Sequence, residues 1–112
     1  MRFKRRKRDR AGGPSTMDRE AASADRKHLE EFVNSRIGVE GFLEPRTAVT
    51  EVTIVLIAKD GEWTRRRVPS AQWAHSWANK LGVPTYDAAV VGYPQRMREW
   101  NRRQKEAGAS DG

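Results

Sequence analysis

Asp60-Gly61 stands between two runs rich in β-branched and aromatic residues, 47–59 and 62–68, the strongest short-range signal for a β-hairpin that a sequence offers. It commits the middle of the chain to an antiparallel pair and so rules out an all-helical fold. A two-residue turn pairs Lys59 with Glu62, Ala58 with Trp63, Leu56 with Arg65, Val55 with Arg66 and Ile54 with Arg67. Side chains alternate across a strand. Ile54, Leu56, Ala58, Trp63, Arg65 and Arg67 are therefore expected on one face, and Val55, Ile57, Thr64, Arg66 and Val68 on the other. The second face carries one arginine rather than two, which makes it the expected core face.

Helical spacing surrounds the hairpin. Leu29, Phe32, Val33 and Ile37 recur on one face, before Gly38, placed for a left-handed C-terminal cap; Ser15 and Ser23 are alternative N-caps, and with the later one a helix is expected over 24–37. Residues 39–44, ended by Pro45, suit a short strand that would extend the hairpin to a three-stranded antiparallel sheet. Ser70, following Pro69, caps a second helix that stops at Gly82. Its Trp73, Ala74, Trp77, Ala78 and Leu81 form an apolar stripe wide enough to cover a small sheet. Residues 86–91 read as a short helix capped by Thr85, although Ala89-Val90-Val91 suits a strand as well. Pro94 begins a last helix through Lys105, with Tyr93, Met97 and Trp100 on one side and Arg96, Arg98, Arg102, Arg103 and Lys105 around the rest. The pattern is α+β: N-terminal helix, hairpin, covering helix and basic C-terminal helix in one domain over 23–106.

Flanking this domain, 1–22 reads as a disordered basic arm with a linker and 107–112 as a disordered polar tail. Seven of the first ten residues are basic (Arg2, Lys4, Arg5, Arg6, Lys7, Arg8, Arg10) against Asp9 alone, so the arm holds +6 of a net charge of +7. Like charge this dense repels itself and is attracted to polyanions through counterion release. With 112 residues, 37% of them hydrophobic, one modest core is what the chain can build. The absence of cysteine excludes disulfides, thiolate metal sites and a cysteine nucleophile, and suits a reducing, cytoplasmic setting. No apolar segment follows the arm as in a signal peptide, and the longest apolar run, 54–58, is too short to span a membrane.

Catalytic provision is thin. His28 and His75 fall off the apolar stripes of separate helices and read as solvated surface residues. Gly38-x-x-Gly41 lacks the lysine and the following helix of a phosphate loop, and adjacent Glu30 and Glu31 diverge by about 100° on a helix. No catalytic residue, cofactor site or metal site is expected. Binding is better supplied: Arg65 and Arg67 beside Trp63 can grip phosphate and stack on a base, and Arg96, Arg98, Arg102 and Arg103 line the last helix.

The order helix, short strand, hairpin, helix is similar in topology to a double-stranded-RNA-binding domain. In that family the second helix opens with a serine and phosphate-gripping lysines; here the stretch reads Ser70-Ala71-Gln72-Trp73-Ala74-His75, without the lysines. The stretches 61–70, 81–84 and 86–98, with Trp63-Thr64-Arg65-Arg66-Arg67-Val68 and Gly92-Tyr93-Pro94-Gln95-Arg96-Met97-Arg98 at their centres, resemble a family of short, arginine-rich, uncharacterised actinobacterial proteins. Members of that family carry an oxidoreductase label, for which this chain offers neither a dinucleotide fingerprint nor a redox cysteine.

The expectation that follows is a non-catalytic accessory protein binding RNA, DNA or a ribonucleoprotein, with the arm supplying affinity and the arginines of the body orienting it. The alternatives are an adaptor docking on an acidic protein partner and a small cofactor-dependent oxidoreductase.

Overall fold

The computed structural model describes residues 16–111, with side chains placed over 22–108. The basic cluster at 2–10 lies outside the described residues. Eight elements follow one another: α1 (Thr16–Ser35), β1 (Glu40–Glu44), β2 (Thr53–Ile57), β3 (Trp63–Arg67), α2 (Ala71–Lys80), β4 (Thr85–Asp87), α3 (Ala88–Val91) and α4 (Gln95–Asp111). The class is α+β, built on a four-stranded mixed sheet of order β3-β2-β1-β4. β1 pairs antiparallel with β2 and parallel with β4, where a purely antiparallel three-stranded sheet was expected.

Both outer helices are longer than the apolar periodicity indicates. α1 starts at Thr16, inside the segment assigned to the linker, because the alanine-rich stretch before Ser23 contains nothing that breaks a helix. It ends at Ser35, which leaves Ile37 78% exposed and not part of the core stripe. α4 continues through Asp111, so residues 107–111, expected as a frayed tail, are helical.

The hairpin closes one residue differently from the expected turn. Ala58 and Glu62 form the last pair (Ala58 N to Glu62 O, 2.8 Å), around a three-residue loop with Gly61 at φ +96°. Three-residue loops of this kind place a glycine at the left-handed position. Ile57 pairs with Trp63, Ile54 with Arg66 and Thr53 with Arg67. A one-residue shift swaps the faces of one strand relative to the other. Ile54, Leu56 and Ala58 therefore share a face with Thr64, Arg66 and Val68, while Val55 and Ile57 share one with Trp63, Arg65 and Arg67.

Nor is there a single core face. Leu29 and Phe32 of α1 and Ala74, Trp77 and Ala78 of α2 pack over Leu43, Ile54, Leu56 and Val68 on one side of the sheet. Met97 of α4, with Tyr93 and Ala88, packs over Phe42, Val55 and Ile57 on the other. The run 54–58, at most 2% exposed, is a central strand buried on both faces, which its unbroken apolar character reflects. Ser70 caps α2 as expected, its hydroxyl accepting from Trp73 N. Tyr86 and Asp87, expected to be helical, instead extend β1 by pairing with Phe42 and Leu43; Asp87 rather than Thr85 then caps α3. The open edge of β1 offers backbone partners that outweigh local preference.

Candidate nucleic-acid interface

Strand β3 forms one edge of the sheet, and three contacts fix the direction of α1 beside it. Asp25 faces Arg66 at 3.5 Å and Arg67 at 3.8 Å, His28 Nε2 lies 2.7 Å from Thr64 Oγ1, and Arg36 donates to both carboxylate oxygens of Glu62 at 3.2 and 2.6 Å. α1 thus runs from the Arg67 end of the strand to its Glu62 end. Residues 16–24 continue upstream of Asp25 by about 14 Å at 1.5 Å per residue, so the chain enters the domain at the Arg67 end. His28, expected to be solvated, is half-buried; burial, followed by the neighbouring Arg66 guanidinium, holds its pKa below the usual histidine value.

Trp63, Arg65 and Arg67 do share a face, but they are differently employed. Arg65 is committed to Glu44, Nε to Oε1 at 2.8 Å and Nη2 to Oε2 at 3.0 Å, with its guanidinium 5.3 Å over the Trp63 ring. Glu44 also accepts from Thr53 Oγ1 at 2.6 Å and from the Tyr93 hydroxyl. Burial on its own would raise the Glu44 pKa; the hydrogen bonds from Arg65, Thr53 and Tyr93 outweigh it and hold the carboxyl below its usual range. Trp63 donates its Nε1 to Asn101 Oδ1 at 2.7 Å. Arg67, at the strand end, is 61% exposed, and its ion-pair partner among the described residues is Asp25 Oδ2 at 3.8 Å.

The last helix divides in the same way. Arg96 donates to Ala58 O at 2.9 Å and to Glu40 Oε1 at 2.6 Å, and Glu40 also accepts from the Tyr86 hydroxyl at 3.1 Å. Arg103 donates to Asp60 O at 2.9 Å and lies 5.8 Å over Trp100. Gly61 packs so tightly beneath α4 that a Cβ there would fall 2.0 Å from Arg96 O. Arg96 and Arg103 therefore fasten the hairpin tip to α4. Arg98, Arg102 and Lys105, at i, i+4 and i+7, form an exposed stripe to one side of Met97. Arg98 donates to Tyr93 O at 3.1 Å; Arg102 and Lys105 have no side-chain partner among the described residues.

Sequence reasoning missed the two carboxylates that sort these arginines. Glu40, Phe42 and Glu44 alternate on β1 and project onto the α4 face, a Glu-x-Phe-x-Glu pattern that becomes informative once β1 is known to be a central strand. It also passed over Arg46, 69% exposed just beyond β1 and 3.2 Å from Glu51. Among the described residues no group of three or more His, Asp or Glu is arranged to hold a metal ion, and no helix is long and apolar enough to cross a membrane. Comparison with protein-family models, with curated proteins and with solved structures returns no match.

Proposed function

We propose that this protein is a non-catalytic accessory that binds nucleic acid or a ribonucleoprotein in the cytoplasm, using the basic arm for affinity and the uncommitted arginines of the body for orientation. The observation that carries this reading is the segregation of charge: seven basic residues among the first ten, attached to a body whose remaining 15 basic and 14 acidic residues nearly balance. Within that body, Arg36, Arg65 and Arg96 hold carboxylates at hydrogen-bond distance, whereas Arg67, Arg98, Arg102 and Lys105 turn to solvent. A polyanion finds the second group without dismantling the first.

Pull-down from lysate with and without nuclease tests this. Loss of the captured material after nuclease supports the reading. Retention of a single acidic protein partner after nuclease contradicts it and favours an adaptor.

A further inference from the structure

Resting on that reading, the geometry points to a specific surface and a specific form of partner. We infer that the end of the sheet bearing Arg46, Arg66 and Arg67, where α1 enters the domain, docks on the sugar-phosphate backbone of a nucleic-acid double helix.

Glu44, Thr53 and Arg67 stand side by side across β1, β2 and β3, so Arg46, two residues past Glu44, lies just beyond the same end of the sheet as Arg66 and Arg67. α1 leaves Asp25 in that direction. The N-terminal end of α1 and the three guanidinium groups therefore belong to one end of the molecule.

The ion pairs at this end are loose. One carboxylate, Asp25, is shared between Arg66 at 3.5 Å and Arg67 at 3.8 Å, both beyond a good hydrogen bond. Arg46 and Glu51 are 69% and 60% exposed. The Arg46–Glu51 pair contributes little to the fold and exchanges readily for phosphate, and the long contacts of Asp25 leave Arg66 and Arg67 with donors to spare for one. The tight pairs of Arg36 and Arg96, both at 2.6 Å, lie at the other end of the sheet, and Arg65 is held by Glu44 at 2.8 Å and takes no part in the surface.

Recognition of unpaired bases uses open aromatic faces. Every aromatic ring with a described side chain already has a guanidinium group or another ring against it: Arg36 on Phe32, Arg65 on Trp63, Arg103 on Trp100, Trp73 and Trp77 on each other, and Tyr86 and Tyr93 on Phe42. The one exposed ring among them, Tyr86, is on β4, at the opposite edge of the sheet from the arginines. A surface of guanidinium groups without a stacking platform suits paired nucleic acid, whose bases stay stacked within the helix.

The test uses the full chain with a random-sequence duplex, of DNA and of RNA, and with either separated strand, at several salt concentrations. All four tryptophans have described side chains, so their fluorescence reports stacking at every indole. The duplex should bind roughly tenfold tighter than the strand at equal salt, because two strands double the charge per length, and tryptophan emission should stay unchanged at saturation. Arg66→Gln with Arg67→Gln should lower the salt slope by about two units. Asp25→Asn, which removes the competing carboxylate and keeps the side-chain shape, should tighten binding by roughly up to fivefold, the factor an exposed ion pair accounts for. Tighter binding of the single strand with quenched emission would overturn the inference while leaving nucleic-acid binding in place. An unchanged slope in the double variant with unchanged affinity in Asp25→Asn would overturn the surface. Binding to neither form would overturn the inference and the functional reading together.

Discussion

Arg65 and Glu44 grip each other through two parallel hydrogen bonds, 2.8 and 3.0 Å long, across the breadth of the sheet from β3 to β1. Since Glu44 also receives Thr53 and Tyr93, the arginine completes a carboxylate site that joins three strands to the segment leading into α4. Arg65→Gln leaves that carboxylate short of its charged partner and should destabilise the domain by about 1–3 kcal/mol. Arg67→Gln should fall within about 0.5 kcal/mol of the parent, as exposed substitutions do. Urea unfolding of the two variants checks this; equal losses would show that Arg65 is no more structural than its neighbour.

Gly61→Ala should destabilise by at least about 2 kcal/mol. It forces a side chain into the left-handed region at φ +96° and into a backbone carbonyl of α4. Hydrogen exchange in the variant should show lost protection in α4 as well as in the hairpin; loss confined to the hairpin would mean that the tip does not fasten the helix.

The faces of the hairpin show where sequence reading succeeds and where it stops. Alternation placed Trp63, Arg65 and Arg67 together because period two is a property of any strand. It did not place them opposite Val55 and Ile57, because Asp-Gly serves two-residue and three-residue loops alike, and only the Ala58–Glu62 pair decides between them. The α2 stripe and the Ser70 cap were legible, since both are local. β4 was not, because Tyr86 and Asp87 become a strand through the edge that β1 offers, a partner more than 40 residues away in the chain. For the same reason arginine number alone could not separate Arg96, bound to Glu40, from Arg102, which faces solvent.

Trp77→Ala should cost about 3–5 kcal/mol, since Trp77 is 8% exposed, stacks on Trp73 at 5.9 Å and donates to Glu30 at 3.3 Å. His75→Ala, removing an exposed ring paired with Thr85, should stay within about 0.5 kcal/mol. Thermal unfolding separates them; equal small shifts would mean that α2 does not cover the sheet with this face.

Acid should loosen α1 from β3 through His28. Its folded pKa is depressed, chiefly by burial and then by Arg66, with Arg36 adding to the effect and Glu31 and Asp25 opposing it. The unfolded chain therefore takes up the proton first as pH falls below about 6.5, and the stability contributed by the neutral ring is lost from there downward. Glu44 acts at lower pH: its folded pKa is also depressed, so its contribution is present above the usual carboxyl range and disappears as pH falls through the folded value. His28→Gln should flatten the stability profile between pH 5 and pH 7 and leave the steeper loss below pH 4. A variant whose profile between pH 5 and pH 7 matches the parent would rule out His28 as the group responsible.

The most direct measurement of the account's central claim is the salt dependence of duplex affinity for the full chain and for a chain lacking residues 1–10. The arm carries +6 and the rest of the chain +1, so removing it should flatten the slope of log affinity against log salt by about 5 units while the melting temperature stays unchanged. An unchanged slope would contradict the account, because the affinity would then reside in the body and the charge of the arm would play no part in it.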